Sequence, residues 1–167
     1  LTLGDSTAAG RGADYEKGIA LGTARHLAKG RSVELVNLAV SGARFRDVLQ
    51  DQLPRAGDRK ADVVLVDVGS NDVIHLTSSK SVRRDLEKIL LPLLAANCKA
   101  KIVVTGAADM GSPPRIPFFL RGLTAAKART INVIANRAVA EPALTFARLP
   151  ERAAAAFRRP RPPVPPH

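Results

Sequence analysis

The chain has 167 residues, of which 46% are hydrophobic and only 4% aromatic, and its formal net charge is +11 at pH 7. This length allows one domain with a real core and is too short for two comfortable ones. No stretch is long and apolar enough to span a membrane. The basic residues are scattered without interleaved aromatic residues, and only Arg158, Arg159 and Arg161 form a dense group. Nucleic-acid binding is therefore not expected, despite the charge.

The cysteine content and the start of the chain limit which covalent or metal sites, and which cellular location, we expect. Cys98 is the only cysteine, so we expect a small buried hydrophobic residue there, with no internal disulfide, no metal site and no cofactor. No secretory leader precedes Leu1, which favours the cytoplasm by default. The chain begins inside a predicted strand, so an incomplete N-terminus stays open. The sequence does not determine the oligomeric state.

Apolar runs alternate with amphipathic stretches along the chain. After the first strand, which ends near Leu3, short β-branched runs at residues 33–40, 63–68 and 101–106 predict central parallel strands covered on both faces. Apolar residues at helical spacing predict helices over residues 19–29, 81–97 and 121–140, with a kink at Pro92. Residues 143–149 are the candidate fifth strand. Strands that alternate with helices predict an α/β sandwich.

Short polar segments follow three of the predicted strands. Ser6 comes after the first strand, Ser41 and Gly42 after the second, and Asn71 lies in the segment Gly69-Ser70-Asn71-Asp72 after the third. If the strand order is 2-1-3-4-5, these segments meet at one edge of the sheet, where open parallel sheets bind ligands.

These segments supply what acyl transfer from an ester requires. Ser6 offers a nucleophilic oxygen and its own backbone N–H, Gly42 lets a second N–H approach the developing oxyanion, and Asn71 adds an amide donor. Each segment alone is weak evidence, because a serine after Gly-Asp is usually a helix cap, a glycine after a strand is usually a turn residue, and Ser-Asn-Asp is usually part of a polar loop. Their predicted convergence favours a catalytic site.

These segments also carry a family resemblance. "GDSTAAG", "NLAVSGAR" and "VDVGSNDVIHLT" resemble the first three blocks of the SGNH, or GDSL, hydrolases, in the family's order. The resemblance covers the chain from Leu1 to about Glu141. It implies a three-layer α/β/α sandwich with a mostly parallel, flavodoxin-like sheet of about five strands. It also implies an esterase in which Ser6 attacks the ester, Ser6, Gly42 and Asn71 form the oxyanion hole, and Asp5 and Asp72 organise the loops.

The family's fourth block, an Asp-x-x-His near the C-terminus that supplies the base, has no clear counterpart. His75 has the spacing from Asp72 but adjoins the third block, where a rim or packing role is more common. His167 ends the chain at a matching position, but Val164 replaces the aspartate. Both are candidate bases, and both have structural alternatives.

Composition divides the chain near residue 150. Residues 1–150 are predicted to form the hydrolase-like domain and residues 151–167 an Ala/Arg/Pro-rich tail, disordered at least from residue 158. Natural divergence, a truncated gene and a shifted reading frame are alternative origins of this tail. Two functions stay open: an esterase for small or short acyl groups, intact or impaired through loss of the histidine block, and a non-catalytic or truncated domain acting at most as a binding module. The loop at residues 111–122 is the predicted wall of the acyl site, with packing of Phe118 and Phe119 beneath it as the alternative.

Overall fold

The computed structural model describes residues 1–11, 18–108 and 117–139, together with the backbone of residues 144–147. Four strands form one parallel sheet in the order β1-β2-β3-β4. They are β1 (Thr2–Gly4), β2 (Val63–Asp67), β3 (Lys101–Thr105) and β4 (Leu144–Ala147). The predicted α/β class with a parallel sheet is confirmed, and β2 and β3 fall within the apolar runs that predicted them.

The run at residues 33–40 lies beside β1 on the side away from β2. It pairs in parallel through the bridge between Thr2 and Asn37, and the N–H of Leu38 donates to the Thr2 carbonyl at 2.9 Å. This segment lies where the order 2-1-3-4-5 places the second strand, but it forms an isolated bridge and not a strand of the four-stranded sheet. The expectation that it is covered on both faces is wrong, because Val33 is 40% and Val40 47% exposed. Within the described residues this run pairs with β1 on one side only. It therefore stays partly exposed although its composition is apolar.

Helices connect the strands and pack on the sheet. The two long ones, α5 (Ser79–Ala96) and α6 (Arg121–Ala138), lie where the amphipathic spacing predicts them, and α5 continues through Pro92. A helix over residues 45–56, which the sequence analysis did not identify, has a π-helical turn in its middle. The helices are α1 (Ile19–Leu27), α2 (Phe45–Asp47), the π-helical turn (Val48–Gln52), α3 (Leu53–Ala56), α4 (Ser70–Ile74), α5 (Ser79–Ala96), a 3₁₀ turn (Phe118–Leu120) and α6 (Arg121–Ala138).

The core lies between the central strands and the apolar faces of α5 and α6. Every second side chain of β2 and β3 belongs to this core, together with the side chains of Leu86, Ile89 and Ile131, which are fully buried. Burial of one such side chain contributes roughly 1.5–3 kcal/mol, so this contact fixes the sheet that carries the loops. Cys98 is exposed in the turn after α5, so its predicted burial is wrong. That turn lies beyond the last apolar position of the helix, where the chain leaves the core.

Candidate active site

Strand β1 ends with a glycine that no other residue can replace without a clash. Gly4 has a φ of +151°, and a Cβ built on it would lie 2.1 Å from the carbonyl oxygen of Asp67 on β2. The next N–H, that of Asp5, donates to that same oxygen at 2.9 Å. The absence of a side chain therefore lets β1 approach β2 closely at the point where the loop leaves the sheet.

Ser6 opens a hydrogen-bonded turn directly beyond this point. The Asp5 carboxylate accepts the N–H of Thr7 at 2.9 Å, and the Asp5 carbonyl accepts the N–H of Ala9 at 2.9 Å. The carbonyl of Ser6 itself accepts the N–H of Arg11 at 2.8 Å. Ser6 is partly exposed while Asp5 is buried. The turn thus holds the serine at the carboxyl edge of the sheet with its surface open to solvent.

Gly42 lies in the loop that follows the run paired with β1. The N–H of Val40 donates to the Gly4 carbonyl at 3.0 Å, and the N–H of Ala43 returns to the Val40 carbonyl at 3.1 Å. Gly42 has a φ of +90°, and no atom lies within 4 Å of the position that its Cβ would occupy. The glycine is needed here for its backbone conformation, and the space above it is open.

Asn71 lies in α4, which follows β2 after a two-residue loop. Its Nδ2 donates to the carbonyl of Ala43 at 3.0 Å, so the third block is bonded to the residue next to Gly42. A carboxamide nitrogen carries two hydrogens, and this bond uses one of them. The neighbouring Asp72 is buried, and its Oδ2 accepts the N–H of Phe45 at 3.0 Å.

The structure therefore brings the three sequence blocks to one edge of the sheet and bonds them pairwise. The first and second blocks meet through Gly4 and Val40, and the first and third through Asp5 and Asp67. The second and third meet through the bond between Asn71 and Ala43. Assignment of Ser6 as the nucleophile, and of an oxyanion hole to these loops, stays a prediction.

Buried carboxyl groups lie beneath these loops. Burial raises the pKa of Asp5 to about 6, and the nearby charge of Asp67 adds to this effect, whereas the hydrogen bonds from Thr7 oppose it. Burial also raises the pKa of Asp67, although the Thr105 hydroxyl donates to its Oδ1 at 2.5 Å. These shifts mean that the folded protein holds protons on its acidic groups more tightly than the unfolded chain does.

Asp72 is the third buried acid. Burial raises its pKa, whereas hydrogen bonds from Phe45 and Thr77 and the charge of Arg44 lower it. Asp72 Oδ1 and Asp67 Oδ2 have no hydrogen-bond partner among the described residues. In the same part of the chain, no group of three or more His, Cys, Asp or Glu side chains could hold a metal ion.

The candidate bases fall in different places. His75 follows the end of α4 and is exposed, with its backbone N–H bonded to the Asn71 carbonyl at 2.9 Å. His26 is exposed on α1. His167, the predicted tail from residue 151 and residues 111–116 of the predicted acyl-site wall lie outside the described residues.

Sequence reasoning missed two polar residues that hold the loops. Gln52 is 1% exposed and bonds to Gly4 through both atoms of its carboxamide. The Asn37 side chain donates to the Ala8 carbonyl at 2.9 Å, which joins the serine loop to the run at residues 33–40. It also accepts the N–H of Ala39 at 3.1 Å. A lone asparagine inside the apolar run at residues 33–40 was the available signal for the second. Gln52 had a signal too: with Phe45 and Val48 it forms one helical face.

Comparison with known proteins agrees with this arrangement. The sequence matches the model of the GDSL-like lipase/acylhydrolase family over residues 2–165. No curated protein matches the chain. No described helix is long and apolar enough to cross a membrane.

Solved structures with the same fold share little sequence with this chain. AlinE4, described as an SGNH-hydrolase family esterase, has a TM-score of 0.71 and 24% identity, covering 100% of this chain and 85% of its own. TesA has a TM-score of 0.69 and 21% identity, covering 87% and 75%. An extracellular lipase from Streptomyces rimosus has a TM-score of 0.64 and 21% identity, covering 88% and 78%. The family match, which spans nearly the whole sequence, shows that this chain belongs to the GDSL-like lipase/acylhydrolase family.

Proposed function

We propose that this protein is a serine hydrolase that cleaves carboxylic esters of small or short acyl groups, with Ser6 as the nucleophile. The observation that carries the proposal is the bonding of the three blocks to one another at the carboxyl edge of the sheet. Edges of this kind are where open parallel sheets bind ligands. Family membership supports the reaction class, since the family is described as one of lipases and acylhydrolases.

In the proposed reaction, the Ser6 hydroxyl adds to the ester carbonyl as its proton passes to a base. Negative charge then develops on the carbonyl oxygen, and the N–H groups of Ser6 and Gly42 and the Nδ2 of Asn71 stabilise it. The bond from Asn71 to Ala43 supports this role, because it fixes the carboxamide while leaving a second hydrogen on Nδ2. Collapse of the intermediate expels the alcohol, and water later frees the acid from Ser6.

The base is the weakest part of the machinery. Its candidates are His167 and His75, and His75 is an exposed residue beyond the end of α4. A serine without an adjacent base is a poor nucleophile, and loss of one member of such a pair typically lowers the rate by several orders of magnitude. We therefore expect slow turnover or none for this chain alone. A binding module without catalysis is the alternative.

The loop at residues 111–122, which carries Phe118 and Phe119, is the proposed wall of the acyl site. Their rings pack edge to face with centroids 5.8 Å apart, and they are 83% and 70% exposed. This exposure removes support for the alternative that they pack beneath the loop. Aromatic rings that stay accessible can contact a short acyl chain.

The test is hydrolysis of p-nitrophenyl acetate with and without added imidazole, which can act as an external base. The chain is compared with its Ser6→Ala, His75→Ala and His167→Ala variants, each checked for folding by circular dichroism. We expect little turnover by the chain alone. Once hydrolysis by imidazole without protein is subtracted, we expect an imidazole-dependent rate that Ser6→Ala abolishes. Robust turnover without imidazole that is lost in one histidine variant would identify that histidine as the base.

A second arm supplies an Asp-x-x-His block within the protein. Addition of a C-terminal segment that contains Asp-x-x-His should produce activity that depends on Ser6. If neither imidazole nor this segment produces a Ser6-dependent rate in a folded chain, the hydrolase proposal is refuted and the binding module is favoured.

A further inference from the structure

Gln52 makes two hydrogen bonds to a single residue 48 positions away. The Gly4 N–H donates to Gln52 Oε1 at 2.7 Å, and Gln52 Nε2 donates to the Gly4 carbonyl at 2.8 Å. Both bonds are buried, and the side chain is 1% exposed. Hydrogen bonds of this kind hold geometry well, because breaking either one leaves a buried polar group unpaired.

The glutamine replaces a bond that a regular sheet would have made. Between β1 and the run at residues 33–40, three bonds follow the pattern of a parallel pair. The Thr2 N–H donates to the Val36 carbonyl, the Leu38 N–H to the Thr2 carbonyl and the Val40 N–H to the Gly4 carbonyl. Continuation of this parallel pattern would make Gly4 N–H donate to the Leu38 carbonyl. It donates to Gln52 instead, so a side chain sets the end of β1 two residues before Ser6.

The helix that carries Gln52 is fixed at its other end by the third block. The N–H of Phe45 donates to Asp72 Oδ2 at 3.0 Å, next to Asn71. Between Phe45 and Leu53 the helix contains the π-helical turn, and Gln52 is its last residue. Such turns are rare and often occur at functional sites, since they redirect side chains. The helix thus links the Asn71 loop to the Ser6 loop.

We propose that Gln52 is a positioning residue for the reaction of Ser6. By holding both polar groups of Gly4, it sets the direction in which the next two residues leave the sheet, and so where the Ser6 hydroxyl and N–H lie relative to Asn71. This inference rests on the proposed function. The alternative is that Gln52 only stabilises the core.

The role requires one donor and one acceptor in the same side chain. Glutamate has the same shape, but it can reproduce both bonds only when protonated. Ionised glutamate would place a charged oxygen against the Gly4 carbonyl. The Gln52→Glu variant should therefore place Ser6 correctly at low pH and misplace it at high pH. Gln50→Glu is the matched control, since Gln50 is an exposed residue of the same π-helical turn and bonds to Arg46.

The experiment measures the imidazole-assisted, Ser6-dependent hydrolysis of p-nitrophenyl acetate between pH 6 and 8. At pH 8 we expect kcat of Gln52→Glu to fall about 10- to 100-fold with KM nearly unchanged, as expected for a misplaced reacting group. Its rate relative to the unmodified chain should rise as the pH falls. The relative rate of Gln50→Glu should stay flat.

Amide hydrogen exchange gives a readout that does not depend on catalysis. In Gln52→Leu, the amides of Gly4 and Arg11 should exchange at least 10-fold faster than in the unmodified chain, whereas that of Val104 in β3 should not change. If Gln52→Leu does not fold, the same comparison is made with Gln52→Glu at pH 8.

The outcomes separate the two proposals. A folded Gln52→Glu variant with an unchanged kcat at pH 8, or with a loss that does not depend on pH, would overturn the positioning role and leave the hydrolase proposal intact. If no Ser6-dependent rate appears with imidazole or with the added Asp-x-x-His segment, the hydrolase proposal is refuted and this inference with it. Exchange would then still show whether Gln52 orders the serine loop.

Discussion

Replacement of Gly4 by alanine should be among the most damaging single changes in this chain. Its Cβ would lie 2.1 Å from the Asp67 carbonyl oxygen, 2.8 Å from the Asp67 carbonyl carbon and 2.9 Å from the Cβ of Ala8. Two of these atoms are backbone, so no rotamer change relieves the contact. Strand β1 would have to move away from β2, which opposes the bond from Asp5 N–H to Asp67.

The free energy of this change can be built from separate contributions. A side chain at a φ of +151° costs about 1–3 kcal/mol in backbone strain. Overpacking costs a further 1–3 kcal/mol or so. Weakening of the Gln52 bonds to Gly4 adds roughly 1–3 kcal/mol, because the groups are buried. The sum is about 3–9 kcal/mol, which is a large part of the roughly 5–15 kcal/mol typical of a domain.

Urea unfolding followed by circular dichroism measures this loss, and two other glycines serve as controls. Gly30 has a φ of +79° with open space around the position of a Cβ, so Gly30→Ala should lower the free energy of unfolding by only about 1–2 kcal/mol. Gly22→Ala lies inside α1, also in open space, and should stabilise the protein by roughly 0.5–1 kcal/mol. If Gly4→Ala lowers the urea midpoint no more than Gly30→Ala does, the close approach of β1 and β2 is not as described.

Further predictions concern pH, the oxyanion site and the acyl site. Because the pKa of Asp5 rises from 3.8 to about 6 on folding, its contribution to stability is fully present below pH 4 and is lost as the pH rises through 6. The free energy of unfolding should thus be higher at pH 5 than at pH 7, and Asp5→Asn should reduce that difference by roughly 1 kcal/mol. Asn71→Ala should lower the imidazole-assisted rate about 10²- to 10³-fold in a folded chain. Phe118→Ala and Phe119→Ala should change the ratio of acetate to hexanoate ester hydrolysis while leaving the unfolding midpoint nearly unchanged, since both rings are largely exposed. A constant ester ratio would contradict the acyl-site proposal, and an equal midpoint at both pH values would contradict the effect of Asp5.

The parts of the fold that local patterns control were predictable from sequence. Strands β2 and β3 are short β-branched runs with neighbours on both sides, so their apolarity and their burial agree. The run at residues 33–40 has the same composition but a described neighbour on one side only. Composition reports that a segment can be buried, whereas the number of strands beside it depends on the whole sheet. The positions of Val33 and Val40 could therefore not be inferred from the run itself.

The helix over residues 45–56 was missed for a related reason. Its inward face includes Phe45, Val48 and Gln52, and a glutamine at a core position weakens an apolar pattern. The π-helical turn also changes the spacing partway along, and Pro54 lies just after it. Only the partner of Gln52, the Gly4 backbone 48 residues earlier, explains why a polar side chain belongs there.

The same contrast holds at the candidate site. The three motifs mark Ser6, Gly42 and Asn71 because each follows a strand, and the parallel sheet then brings their loops to one edge. The hydrogen bonds that hold the loops together either involve residues outside those motifs or join one motif to another. They link Gln52 to Gly4, Asp72 to Phe45 and Asn71 to the carbonyl of Ala43. Each of these bonds joins residues at least 27 positions apart. Because the loops share these anchors, a change in one should alter the geometry of the others, and the effects of substitutions at Gln52 and Asn71 should not be additive.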